Sequence, residues 1–591
     1  MRWTSSAKIY WDVEQNVPII NPSRKEIEDK SLKYLKVTAP ADIRPIFEDE
    51  LAELKQAITR EYGSETLKIL LPEGSIILLN KIPYVDKGYE VLANGMIIGH
   101  FFYDLKKGLW RFKPLYEGAS LMLREEIGNY VIVDLPMIKP PFTIHKNHVV
   151  KGNYPNVKGI FVVVKTLNGK WEGLAKIVRK DRLRIVKSWH SKQIDLCEIK
   201  RSTMDDVIKA NIDRIENLVE SSLRELESIY KRLGNPPVIA SFSGGKDSLT
   251  ALHIALNILN VELALFSDTG AEFPETLENI DKVSEKLIEV KCLKPRGDLL
   301  SLTRKFGIPA RDYRWCSKIC KIAPMVKWVK HTYGSTRILC IVGQRRYESL
   351  SRFSKPKLSR SKWIPSMYTY AIINDFTALD VWLYIYKYKL PVNKLYFKGY
   401  DRIGCFMCPA CEIAEFEKTR RLHPELWEKW YHILLEFKRN MNLPSEWLKY
   451  GSWRWIKMPG DYKRFLEECN FRRLERFELK FRLQFLKLEK RDTKIIVSGE
   501  NIKALKAICD CMRLKIEVKD DSKVEVEGGV EKALQAITAY VISNICSECS
   551  ICEDFNPLKV MRRIISGRCI MYSDMRRQIE YKLKHIKLSK D

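Results

Sequence analysis

Long apolar runs are missing from this 591-residue chain. Stretches such as 69–71 and 76–79 fall far short of the ~18 residues that span a bilayer. The opening residues, MRWTSSAKIYWDVEQ, carry no apolar export stretch either, so the expectation is a soluble, cytoplasmic protein with no membrane partner. There is no internal repeat and no low-complexity tract. A composition of 45% hydrophobic and 30% charged residues excludes disorder, collagen and coiled coil. At roughly 150 residues per domain, the chain holds about four domains or three large ones. Acidic charge is scarce as well: Lys plus Arg is 102 against 74 for Asp plus Glu, a net +28. That excess leaves the fold open and implies polyanionic partners, nucleic acid above all.

The charge is localised. Residues 131–200 hold 14 basic and 5 acidic groups, residues 311–370 hold 14 and 2, and residues 441–591 hold 31 and 22. A surface tuned only for solubility would interleave Lys with Glu. Cysteine, by contrast, is plentiful, at 15. Cytosolic thiols stay reduced, which argues against a disulfide framework. Cys405, Cys408 and Cys411 form one C-x2-C-x2-C run, and Cys546, Cys549 and Cys552 form another. Metal or iron–sulfur ligation is the leading reading.

Residues 1–128 read as a small α+β domain with a helix over 41–62, and no catalytic constellation is visible there. Residues 129–198 are short β-runs broken by Gly, Pro and Asn, the pattern of a small β-barrel. A long amphipathic helix then acts as a spacer over 199–235. From 236 to 440 strands and helices alternate, which predicts a doubly wound parallel sheet. A basic helical region, 441–493, interleaves Arg472, Arg473, Arg476, Lys480 and Arg482 with Phe471, Phe477, Phe481 and Phe485. These aromatics stack bases or, at i, i+4 and i+8, line a helix core face. A βαββα-like unit begins the final segment, 494–591.

Ser243, Gly244, Gly245, Lys246, Asp247 and Ser248 form a turn between a strand and a helix. The glycines allow close backbone approach to an anion, and the helix start presents free N–H groups. The four-residue gap of a Walker A loop is absent, which excludes an ordinary P-loop ATPase.

This loop resembles the signature of the PP-loop ATP pyrophosphatases, of the adenine nucleotide alpha hydrolase-like superfamily. Within them the chain resembles the phosphoadenosine-phosphosulfate (PAPS) reductase-like branch. The branch shows in Asp268-Thr269-Gly270 with Pro274-Glu275-Thr276, in Arg314-Trp315-Cys316, in Gly343-Gln344-Arg345-Arg346-Tyr347-Glu348-Ser349, and in Asp401-Arg402-Ile403-Gly404-Cys405 with Cys408-Pro409. The resemblance implies that 243–248 binds ATP or PAPS with magnesium, that Asp268, Thr269 and Gly270 flank the nucleotide, and that Arg345 and Arg346 meet its phosphates. Asp247, Cys316 and Arg345 take the catalytic roles, and Glu348 orients an arginine. The implied fold is multidomain α/β, with a HUP-like central sheet.

Cys316, Cys405 and Cys408 fall where iron–sulfur members of the branch carry ligands of a 4Fe-4S cluster. Ser317 stands in place of a tandem cysteine, so Cys320, one helical turn on, becomes the fourth candidate ligand and Cys411 its rival. The second set, Cys546, Cys549, Cys552 and Cys569, has half the spacing of a ferredoxin motif and reads as a second iron–sulfur or zinc site. Residues 129–198 resemble a PUA domain, through His148-Val149-Val150-Lys151-Gly152-Asn153 and Gly173-Leu174-Ala175-Lys176. The combined reading is an ATP-dependent RNA sulfurtransferase with tRNA as the foremost partner, served by a sulfur donor protein or sulfide. The alternative is a reductase of PAPS or adenosine phosphosulfate, although the Glu-Cys-Gly-Ile/Leu-His string of such enzymes is absent.

Overall fold

The computed structural model describes residues 6–179, 181–192, 200–471, 487–491, 494–549, 551 and 556–585. Cys552 and the basic aromatic stretch 472–486 lie outside them.

At the centre, the short apolar strand Val238–Ser241 runs parallel to Val261–Ser267 on one side and Ile338–Val342 on the other. Val290–Leu293 extends the sheet beyond the first neighbour, and Met367–Tyr370 extends it beyond the second, both in parallel. An antiparallel edge strand, Leu358–Arg360, ends it, so the sheet is mixed rather than wholly parallel. Alternate residues serve opposite faces: Val238 and Ala240 join a core with Leu249, Leu252 and Ile341, while Ile239 packs with Leu265, Val326 and Cys340. Burial on both faces is why these strands are continuously apolar. Successive connections leave Val238–Ser241 in opposite directions, and the crevice created there lies at the strands' carboxyl ends.

Three sheets precede this core. The first is antiparallel and three-stranded, an N-terminal hairpin of Ile9–Asp12 and Val17–Ile20 with Leu32–Leu35 beside it. A five-stranded antiparallel sheet runs Arg44–Pro45, Ile77–Lys81, Gly88–Ala93, Met96–Asp104, Leu109–Pro114. The helix expected over 41–62 starts only at Glu48. Pro45 disfavours helical backbone at Arg44, and these two residues pair with Leu78 and Leu79 instead. The third sheet has six strands, in the order Thr143–His145, Arg182–His190, Trp171–Arg179, Phe161–Thr166, Tyr130–Val133, Val149–Asn153. It curls around Val131, Val133, Ile144, Val162, Ala175 and Leu183. Among the described residues its two edge strands do not pair, so it is a curled half-barrel where a closed barrel was expected.

The single spacer helix is two helices, Met204–Ala210 and Ile212–Arg232. Between them Asn211 accepts from Ile20 N–H at 3.1 Å and donates to the carbonyls of Pro18 at 2.8 Å and Val207 at 2.9 Å. These bonds tie the segment to the N-terminal hairpin, which makes it a packed element. At the C-terminal end, a four-stranded antiparallel sheet (Lys487–Arg491, Lys494–Ser498, Lys523–Glu527, Lys515–Asp520 in spatial order) carries the helices Ile502–Cys511 and Val530–Cys549. No helix among the described residues is long and apolar enough to cross a membrane.

Candidate active site

The residues 243–248 leave the strand Val238–Ser241 and open the helix Lys246–Leu256. Gly244 has φ +71°, a conformation that a side chain would strain. The Ser248 hydroxyl donates to Gly245 O at 2.9 Å, accepts from Ser243 N–H at 3.1 Å, and lies 3.0 Å from the Ser243 hydroxyl. The Lys246 N–H donates to the Tyr396 hydroxyl at 3.0 Å. Against the loop's outer side rests Gly343, after the strand Ile338–Val342. A Cβ there would stand 2.5 Å from the Asp247 carbonyl and Ser248 N.

Four charged groups form a chain. Lys246 Nζ meets Asp247 Oδ2 at 2.6 Å, Arg345 Nε meets Asp247 Oδ1 at 2.6 Å, and Arg345 Nη1 meets Asp42 Oδ1 at 2.8 Å. Asp42 Oδ1 also accepts from the Ala378 N–H at 2.6 Å, at the start of the helix Ala378–Lys387. Burial alone would raise the pKa of Asp247, but Arg345 and Lys246 hold it well below the usual carboxylate range. Burial pulls the Lys246 ammonium down, and Asp247 offsets that only in part. Arg345 is 2% exposed and Lys246 7%, so neither charge is spread into bulk water.

Asp42 comes from the N-terminal domain, where sequence inspection showed no constellation. It follows Ala41, a buried alanine at φ +62°, a left-handed geometry that costs a non-glycine residue roughly 1–3 kcal/mol and tends to sit at functional sites. The same domain supplies Arg44, Lys81 and Tyr89 to a cavity of about 490 Å³ whose other wall is the 243–248 loop with Gln344, Arg345, Arg352 and Arg402. Arg44 and Tyr89 converge on Asp401, each at 2.7 Å, with Lys81 at 3.4 Å. No motif marked Arg44, Lys81 or Tyr89, because they meet Asp401 only in the folded chain.

Asp268, Thr269, Gly270 and Arg346 are not among the residues lining this cavity. The Thr269 hydroxyl lies 3.3 Å from Cys405 Sγ and donates to Glu272 at 2.8 Å. Asp268 accepts from Gly270 N–H at 2.9 Å. Arg346 pairs with Asp375 at 3.2 Å and lies over the Phe353 ring. Glu348 accepts from the Arg345 N–H at 3.2 Å and pairs with Arg352.

The cysteine loop begins two residues after Ile403, which lines this cavity. Arg311 binds the carbonyls of Pro409, Ala410 and Cys411 at 2.8–3.1 Å, and the fully buried Arg454 binds Cys411 O at 2.8 Å. These two guanidiniums fix the loop's shape. A hydrogen bond with Cys411 brings the Cys408 thiol down to about 5, against the opposing effect of burial. Burial pushes Cys316 up to about 12, with Cys408 adding to the rise. Lys321, also absent from the motifs, sets its ammonium among Cys405, Cys408, Cys316 and Glu272. Directly after Cys316 the backbone is π-helical over Ser317–Ile322, a wide turn in place of the ordinary helical turn expected to align Cys320 with Cys316. π-turns recur at functional sites. Cys320 is buried within an apolar core, next to Cys316. The donor set has the soft, thiolate chemistry of an iron–sulfur site. As the side chains stand, no three of His, Cys, Asp and Glu among the described residues are in metal-holding geometry. Of the second set, Cys546, Cys549 and Cys569 border one small cavity with Ile551, on the helix Val530–Cys549 and the turn after Pro557–Ile565.

The central sheet, with its glycine loop at the switch crevice, defines an α/β nucleotide-binding protein. A family model for the phosphoadenosine phosphosulfate reductase domain matches residues 237–411. The uncharacterized protein MJ0066 of Methanocaldococcus jannaschii is 32% identical over 467 residues, 75% of this chain and 95% of that protein. The adenosine 5'-phosphosulfate reductase of Geobacillus kaustophilus is 30% identical over 199 residues, covering 33% of this chain and 82% of that one. The chain belongs to the phosphoadenosine phosphosulfate reductase domain family. Solved structures similar to it include the PAPS reductase of Candida auris (19% identity, TM-score 0.26, 35% of this chain and 96% of that one). The U34-tRNA thiolase of Methanococcus maripaludis with its 4Fe-4S cluster is also similar (18% identity, TM-score 0.23, 38% and 80%).

Proposed function

We propose that this protein transfers sulfur to RNA, foremost tRNA, at the expense of ATP. The observation that carries the reading is that residues 401–403, which lead directly into the 405–411 cysteine loop, line the same cavity as the 243–248 loop. Asp247 and Lys246 would hold the pyrophosphate and its magnesium, and Arg345 would fix Asp247 in place. An oxygen of the target base attacks the α-phosphorus and pyrophosphate leaves. Sulfur from sulfide or a donor protein then bonds to the activated carbon, and AMP departs with the original oxygen. Cys316, Cys320, Cys405 and Cys408, with Cys411 as rival, are the residues that would hold a 4Fe-4S cluster. Such a cluster supplies an iron-bound sulfur or electrons beside the nucleotide. The net +9 over residues 131–200 supports RNA contact by the half-barrel, in the manner of a PUA domain.

Anaerobically purified protein is expected to contain iron and sulfide, to bring RNA with it, and to release pyrophosphate from ATP when RNA is present. Protein that neither binds RNA nor releases pyrophosphate with any RNA overturns this reading. The second reading, reduction of PAPS or adenosine phosphosulfate to sulfite, is favoured by the 30% identity to an adenosine 5'-phosphosulfate reductase. Sulfite released from either compound by the purified protein, and lost in Cys549→Ser, would establish it.

A further inference from the structure

We propose that Arg402 binds the reacting oxyanion of the nucleotide, the phosphate or sulfate group that faces the thiols. The inference rests on reading 243–248 as the nucleotide site. An incoming anion needs uncommitted positive charge, and most cations in the cavity are already committed. Lys246 is matched by Asp247, and Arg345 by Asp247 and Asp42. Across the cavity, Arg44 and Lys81 converge on Asp401, and Arg352 pairs with Glu348.

Arg402 lines the same cavity and is exposed, and among the described residues no carboxylate pairs with it. It stands close enough to Arg352 for the two like charges to oppose each other. The cysteine loop begins three residues on, and the Arg402 charge reaches Cys408 and Cys411. A site that keeps one guanidinium free between a phosphate-binding loop and a row of thiols is arranged for a tetrahedral oxyanion passing between them. The planar fork of arginine matches such a group with two parallel hydrogen bonds. In the sequence Arg402 stands within the Asp401-Arg402-Ile403-Gly404-Cys405 motif, but no role attaches to it there.

The test is equilibrium dialysis of the full chain against ATP with magnesium, PAPS and adenosine phosphosulfate, each separately. Arg402→Ala is expected to weaken binding of the preferred nucleotide about tenfold to a hundredfold, the scale of a lost hydrogen bond to a charged group. Arg402→Lys should recover part of that loss, and the thermal midpoint should not move, because an exposed unpaired side chain holds nothing else. A loss seen with ATP identifies phosphate as the oxyanion, and a loss confined to the two sulfonucleotides identifies sulfate. Undiminished binding in Arg402→Ala, with binding abolished in Lys246→Ala, overturns the role of Arg402 and leaves the nucleotide site standing. A wild-type chain that binds none of the three overturns both.

Discussion

A methyl group on Gly343 would come within 2.5 Å of the Asp247 carbonyl and Ser248 N, atoms of a helix start that has no room to retreat. Gly343→Ala should therefore push the 243–248 loop out of shape while leaving the sheet intact. ATP affinity, read by calorimetry, is expected to fall at least about tenfold, with a lowered thermal midpoint, since overpacking here costs ~1–3 kcal/mol. Asp247 gives a second expectation at this scale. Its carboxyl is held ionised by Arg345 and Lys246 in spite of burial, so Asp247→Asn leaves two buried cations with only Asp42 between them. Such a variant should lose about 3–5 kcal/mol of stability in urea unfolding, with nucleotide binding lost as well. The loop itself was legible in the sequence because glycine, lysine and serine at fixed spacing are a chemical requirement. Asp42 was not, since its partner lies 303 positions away and nothing local distinguishes it from a surface aspartate.

At the scale of elements, the break at Asn211 is a hinge point held by three hydrogen bonds, two of them to the N-terminal hairpin. Asn211→Ala would leave the Ile20 N–H and Pro18 carbonyl buried without partners, at about 1–3 kcal/mol. A lower urea midpoint with an unchanged slope is the expected result. The periodicity of this segment was read as one continuous helix because Asn interrupts a helix only when something outside rewards it. The π-turn at Ser317–Ile322 escaped the sequence for a related reason. Its wide winding depends on the packing of Ile319 and Cys320 into an apolar core, which no residue type announces.

Across the whole molecule, the N-terminal domain and the nucleotide-binding core are joined through Asp401. Burial would raise its pKa, but Lys87, Arg44 and Lys81, with the Tyr89 hydroxyl, hold it well below the usual carboxylate range. A carboxyl depressed in the folded state stabilises the protein above its unfolded pKa near 3.9 and loses that contribution as pH falls toward the folded value. Stability measured by urea unfolding should thus decline below about pH 5, and Asp401→Asn should flatten that decline while lowering stability at pH 7 by about 3–5 kcal/mol. The half-barrel supports a separate expectation. Arg182, Arg184 and Lys187 are exposed along one strand, so changing all three to Gln should weaken RNA binding. The slope of log K against log salt should flatten by about 2 if each contacts a phosphate of single-stranded RNA.

The sequence alone determined the alternating strands and helices of the core, the phosphate-binding loop and the cysteine spacing, because each is written within a few neighbouring residues. Periodicity and glycine placement are local facts, and local chemistry suffices to read them. Tertiary structure decided what surrounds the loop. It brought Asp42, Arg44, Lys81 and Tyr89 to the cavity from the N-terminal part of the chain, turned Thr269 toward Cys405, and left Arg402 without a paired carboxylate among the described residues. Those outcomes depend on which charges are buried together, and burial is a property of the packed chain.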